Sequence, residues 1–189
     1  MKRKHARRKE TAEELMARLQ SDPEWVRRDQ ERERKRQQFR QELLEEQKPL
    51  LEELATAGWR VESVWDLVNT SERYPEAVPV LLRHLGRPYH PRIREGIARA
   101  LTVPEARGQA GSQILDELKR SHRDDEGELR WVLINALMVV AEPSIRDQID
   151  SLLSDQRFEA DRVLLQRISD RISPKESQGK TRNKDLNST

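Results

Sequence analysis

The sequence predicts an all-α protein: a short α-solenoid of about four helical hairpins preceded by a charged helical arm. Three observations lead there. The stretch HPRIREGIARAL, His90 to Leu101, is written again thirty-six residues later as EGELRWVLINAL, Glu126 to Leu137. Ile93-Arg94, Ile97 and Ala100-Leu101 thereby match Leu129-Arg130, Leu133 and Ala136-Leu137. Apolar residues recur at helical spacing from Phe39 to Ile172, and no alternating β-branched run bounded by hairpin turns interrupts them. A single hairpin cannot bury its apolar face, so hairpins repeated every 30–40 residues bury it by stacking.

The elements follow in order. Residues 1–38 form a basic, charged arm, with residues 1–10 lacking apolar periodicity. Thr11 caps a first helix, with Glu14 three residues on completing a capping box. Ser21-Asp22-Pro23 stops that helix and starts another, Pro23 suiting a first turn. Pairs such as Asp29 to Arg32 and Glu31 to Lys35 support it as a solvated helix, at about 0.2–0.5 kcal/mol each.

The solenoid domain spans residues 39–172. Leu43, Leu44, Leu50, Leu51 and Leu54 mark its first helix, closed by Gly58. Val61, Val64, Trp65 and Val68 mark a short second one. Tyr74 to Leu85 and Arg92 to Val103 make the next pair, with Pro91 opening the latter and Pro104 stopping it. Ile114, Leu115 and Leu118 precede the most apolar helix, Glu128 to Ala141. Ile145, Ile149, Leu152 and Leu153 pair with a last helix through Phe158, Val163, Leu164, Leu165 and Ile168. Residues 173–189 read as a disordered polar tail.

Charge is distributed unevenly. Charged residues are 37 % of the 189-residue chain and apolar ones 34 %, with a formal net charge of +2. Residues 1–48 hold 15 Lys/Arg against 11 Asp/Glu, while residues 49–174 hold 17 against 21. A basic arm thus precedes an acidic body of net charge −4. There are no cysteines, which excludes disulfides and thiolate chemistry. The basic N-terminus lacks the apolar core of a secretory signal, and the longest apolar run, Trp131 to Ala141, is too short for a bilayer. A cytoplasmic protein without membrane association is expected.

At the repeated residues the chain resembles HEAT repeats. Pro49 and Pro79 match the proline that bends a first helix in that family. Ile93-Arg94 and Leu129-Arg130 match its hydrophobic-Arg pair. The resemblance implies an Asp in the turn six residues before that Arg; Asp124 fills this place for Arg130, whereas Pro88 stands there for Arg94. The last unit, Pro143 to Ile172, lacks the proline bend and fits as a variant or cap. Ala100 and Ala136 sit where the resemblance implies closely crossing helices.

Motifs for catalysis or cofactors are missing. His5, His84, His90 and His122 lack metal-ligand spacing, and Asp124-Asp125-Glu126 lacks the alternation of a calcium loop. No phosphate-cradling glycine loop or nucleophile elbow is present. The expected function is therefore a non-catalytic module binding another protein, with no cofactor and no metal. Its partner-binding surface is expected on outward positions of the second helices: Arg92, Glu95 and Arg99, then Glu128, Trp131 and Asn135. Trp131 falls on the side opposite Leu129 and Leu133, where an aromatic among polar neighbours suits a binding hot spot. Trp59 and Trp65 are expected to pack inside the first unit.

Two alternatives compete. Lys2, Arg3, Lys4, Arg7, Arg8 and Lys9, with Arg27, Arg28, Arg34, Lys35 and Arg36, could bind nucleic acid through counterion release. The resemblance also reaches HEAT-like alkylpurine-DNA glycosylases, for which Trp65-Asp66 and Trp131 would be the candidates. No motif of those enzymes matches residue by residue, and the acidic body would repel phosphate.

Overall fold

The computed structural model describes residues 11–121 and 127–173. Among them every regular element is helical. None of these helices is long and apolar enough to cross a membrane. The chain divides into two units at Gln47.

The first unit contains α1 (Ala12–Ser21) and α2 (Pro23–Glu46). The expected capping box is present: Thr11 Oγ1 accepts from the Glu14 amide at 3.2 Å, and Glu14 Oε2 from the Thr11 amide at 2.9 Å. Asp22 Oδ1 accepts from the Glu24 amide at 2.9 Å and so starts α2. The two helices pack on each other but bury no residue, so α2 relies on its own ion pairs. Asp29–Arg32 and Glu31–Lys35 form as the spacing requires, each at 3.5 Å, and Arg34 also reaches Glu31 at 2.9 Å. Phe39 to Glu46, whose apolar pattern places them in the solenoid domain, instead continue α2 without a break. The compact body starts at Gln47.

That body holds α3 (Lys48–Thr56), α4 (Val64–Asn69), α5 (Val78–Leu85), α6 (Pro91–Ala100), α7 (Gly111–Arg120), α8 (Gly127–Val140), α9 (Arg146–Leu153) and α10 (Arg162–Ile172). Sequence neighbours α5 and α6, α7 and α8, and α9 and α10 pack on each other. Alternate helices also pack: α3 on α5 and α5 on α7, then α4 on α6, α6 on α8 and α8 on α10. Buried Gln47 ties the first pair together, its Oε1 accepting from the Val64 amide at 3.1 Å.

The repeated frame is the core. Ile93, Ile97, Ala100, Leu101, Leu129, Leu133, Ala136 and Leu137 are all buried. Gly96 belongs to the same logic, because a Cβ there would stand 2.6 Å from Val64 Cγ1 and 3.1 Å from Trp65 Nε1. Its missing side chain lets α4 approach α6 closely.

The prolines act differently from the resemblance. Pro49 and Pro79 lie in the first turns of α3 and α5, so they open these helices rather than bend them. A first-turn amide has no intrahelical acceptor, so nothing is lost by removing it. Pro75–Ala77, Pro104–Ala106 and Pro143–Ile145 each form a 3₁₀ turn immediately before or near the next first helix. Pro143 thus starts the turn before α9 in the way Pro75 and Pro104 start theirs, while α9 itself has no proline in its first turn, unlike α3 and α5.

Arg130 and Arg94 are tied down by residues further along the chain. Arg130 Nε donates to Asp161 Oδ2 at 2.7 Å, and Nη2 to the Arg157 carbonyl at 2.7 Å. Asp124, the expected partner, lies outside the described residues. Arg94 is ion-paired with Glu117 on α7.

Candidate functional site

A continuous polar–aromatic ladder crosses α4, α6 and α8. It starts with Trp65 on α4, whose ring lies 4.1 Å beneath the Arg92 guanidinium. Arg92 Nη1 donates to Glu95 Oε2 at 2.9 Å, and Glu95 Oε1 accepts from Arg99 Nε at 2.8 Å. Arg99 Nη2 then donates to Glu128 Oε1 on α8 at 3.1 Å. The Arg99 guanidinium carbon lies 5.6 Å from the Trp131 ring centre. Helical spacing explains the array, since positions 92, 95 and 99 share one face of α6.

Of the six residues expected on the partner-binding surface, five join directly through side chains, and Asn135 braces the helix beneath them. Trp131 is 52 % exposed, as its position opposite Leu129 and Leu133 requires. Glu95 differs from its expected outward role: it is only 6 % exposed. Two guanidinium groups, one a turn before it and one a turn after, draw its carboxylate beneath them. Buried and doubly paired, it holds the two arginines in place.

Glu128 meets Arg99 rather than its repeat equivalent Arg92. Long helical side chains lean toward the N-terminal end of their helix, which carries the Arg99 head back toward Glu128.

Trp65 is the member that sequence reasoning assigned to packing. It is half-buried, with its face given to Arg92. A signal for it exists in the chain: Trp65-x-x-x-Asn69 has the spacing of Trp131-x-x-x-Asn135. In both, the Asn amide donates to the Trp carbonyl, at 2.8 and 2.9 Å. Each tryptophan then carries an α6 arginine over its ring. Trp59 packs edge-on to Tyr74, at the start of the next hairpin rather than inside the first unit, with ring centres 5.6 Å apart.

Asp66, a candidate in the glycosylase alternative, caps α4. Its Oδ2 accepts from the Glu62 and Ser63 amides at 2.9 and 3.0 Å. In the nucleic-acid alternative, Lys2, Arg3, Lys4, Arg7, Arg8 and Lys9 lie outside the described residues. Of the rest, Arg34 and Lys35 share Glu31, and Arg36 pairs with Glu33 at 3.2 Å. Arg27 and Arg28 are exposed and have no ion pair among the described residues.

A second charged cluster joins α3 to α5. His84 is fully buried, with Nδ1 2.7 Å from the Tyr89 hydroxyl and Nε2 3.0 Å from Glu53 Oε1. The latter contact is close but poorly aligned for a hydrogen bond. Arg83 reaches Glu53 at 2.9 Å and Arg87 at 3.4 Å. Burial pushes the His84 pKa below its ordinary 6.5, outweighing the Glu53 contact that opposes it. The Arg83 hydrogen bond, followed by the His84 contact, pulls Glu53 from 4.5 to about 2.

Both groups bind protons more weakly in the folded protein, so unfolding takes protons up and acid destabilises. The His84 contribution is complete above pH 6.5 and lost as the pH falls through its lowered folded pKa. The Glu53 contribution is complete above pH 4.5 and lost toward pH 2. The urea midpoint should therefore drop as the pH is lowered below 6.5, and His84→Gln should flatten that first part of the drop. An unchanged slope in the variant would remove His84 as its source.

In comparison with known proteins, no family model, no curated protein and no solved structure matches this chain.

Proposed function

We propose that this chain is a non-catalytic protein-binding module, built as a short α-solenoid of HEAT-like hairpins. The architectural part is supported by the packing of alternate helices, first on first and second on second, and by burial of the repeated frame. The functional part rests on one observation above the others. Trp131 exposes half its surface beside Arg99 and Glu128, on the face where Trp65 and Arg92 also lie. A large aromatic exposed among braced charges loses water readily on docking and gives a hot spot its apolar area. The second helices thus supply the binding face and the first helices its support.

Affinity capture of a partner by the intact chain, with and without nuclease, tests this. Trp131→Ala should weaken the nuclease-resistant partner by about 2 kcal/mol or more. Its urea midpoint should stay close to the parent's. If the substitution unfolds the body, Trp131 is core and the face is misassigned.

A second reading is favoured by Arg27 and Arg28, which have no ion pair among the described residues: nucleic-acid association through the arm. It requires binding whose log–log salt slope falls by about 0.9 for each phosphate contact removed from duplex DNA. With a net charge of −4 over residues 49–174, only weak binding of random duplex at physiological salt is expected.

A further inference from the structure

We propose that the Trp65–Trp131 face takes an acidic peptide segment of a partner protein, with a partner Asp or Glu carboxylate seated on Arg92. This rests on the reading of that face as a protein-binding surface and gives its ligand a chemistry. The two arginines are not equivalent. Arg99 spends both Nε and Nη2, the parallel donors of its side edge, on Glu95 and Glu128. Arg92 spends only Nη1, on Glu95. Its Nε and Nη2 have no partner among the described residues, and the side chain is 53 % exposed. That edge is the one that meets a carboxylate with two parallel hydrogen bonds.

The guanidinium is also held in place before any ligand arrives. Trp65 fixes its plane from below at 4.1 Å, and the buried Glu95 fixes its rotation. Little side-chain freedom is left to lose on binding, which favours affinity. Arg99 is the brace that keeps Glu95 and Trp131 in register, and Arg92 is the anion receptor.

Charge decides the kind of anion. Arg92 and Arg99 are balanced locally by Glu95 and by Glu128, which is 68 % exposed at the rim. A single carboxylate can be met by the open edge of Arg92 alone. A phosphodiester chain would carry repeated charge over residues 49–174, whose net charge is −4. An apolar side chain beside the ligand's acid would lie against Trp131.

The test is selection of random peptides, displayed on phage, against the intact chain at physiological salt, with binders to Trp131→Ala removed first. The selected peptides should be enriched in Asp or Glu together with an apolar residue. A synthetic peptide of that sequence should bind about tenfold or more weakly to Arg92→Ala, and to Arg92→Lys, whose point charge lacks the fork. Changing the peptide's acid to its amide should cost as much, and nothing further in Arg92→Ala. The urea midpoint of Arg92→Lys, which keeps a cation over buried Glu95, should stay close to the parent's, so that its loss of peptide is not a loss of fold. Basic or neutral peptides insensitive to Arg92 would overturn the proposal and leave the binding face standing. Displacement by duplex oligonucleotide or inorganic phosphate in preference to the acidic peptide would overturn the carboxylate assignment alone. A selection that yields no peptide dependent on Trp131 would bring down the binding face and the proposal together.

Discussion

Arg130→Ala is expected to destabilise the body by about 3–5 kcal/mol, the cost of removing one member of a buried charge pair. Arg130 is 4 % exposed and connects α8 to the segment leading into α10. Its side chain donates to Asp161 and to the Arg157 carbonyl, and its guanidinium lies 4.1 Å from the ring centre of buried Phe158. Alanine would leave the Asp161 carboxylate, itself only 21 % exposed, without its cation and the carbonyl without its donor. It would also open space beside Phe158. Arg130→Met keeps the stem and most of that packing, so it should cost less than alanine. Arg157→Ala is the control: Arg157 also lies near Phe158, but it is exposed and pairs with Asp155 two residues away. Surface pairs of that kind are worth about 0–1 kcal/mol. Urea unfolding of the three variants ranks them, and equal costs for Arg130→Ala and Arg157→Ala would show that the last hairpin is not held by this arginine.

Arg130 also shows where the chain was legible and where it was not. Its place was readable, because Leu129-Arg130 repeats Ile93-Arg94 and the apolar member of each pair is buried. Its partner was not. Asp161 lies 31 residues further on, at the end of the segment before α10, and the packing of the body selects it. Glu117, the partner of Arg94, also comes later in the chain, on α7. Periodicity reports which face of a helix points inward but carries no information on which distant side chain meets it.

The face on α4, α6 and α8 divides in the same way. Helical spacing alone put 92, 95 and 99 on one side of α6 and left Trp131 outward. It could not show that one carboxylate between two arginines would sink beneath them, since that depends on the competition of charges at close range. Two other signals were present in plain sequence. The Trp-x-x-x-Asn spacing at Trp65 and Trp131 marks two helices of one face. The Pro-Glu-Ala tripeptides at Pro75 and Pro104 mark two 3₁₀ turns of the same kind. The end of the arm was obscured for a simpler reason. Leu43 and Leu44 resemble the start of an apolar stripe, yet neither is buried, and the helix they belong to runs to Glu46.

Leu133→Ala is expected to cost about 2–5 kcal/mol, through lost apolar burial and the cavity left behind. Leu133 is fully buried near the middle of α8, the helix that packs on α6, α7 and α10. With neighbours on three sides, the space vacated cannot close by a shift of one helix, which places the cost in the upper part of that range. Glu128 starts the same helix and is its natural control. It is 68 % exposed, and its one described contact is the Arg99 ion pair at 3.1 Å. Glu128→Ala should therefore cost well under about 1 kcal/mol. The contrast separates the two faces of α8 by energy rather than by position. If chemical denaturation gave equal costs at the two sites, the inward face of α8 would be wrongly placed, and the exposure of Trp131 on its opposite side would lose its basis.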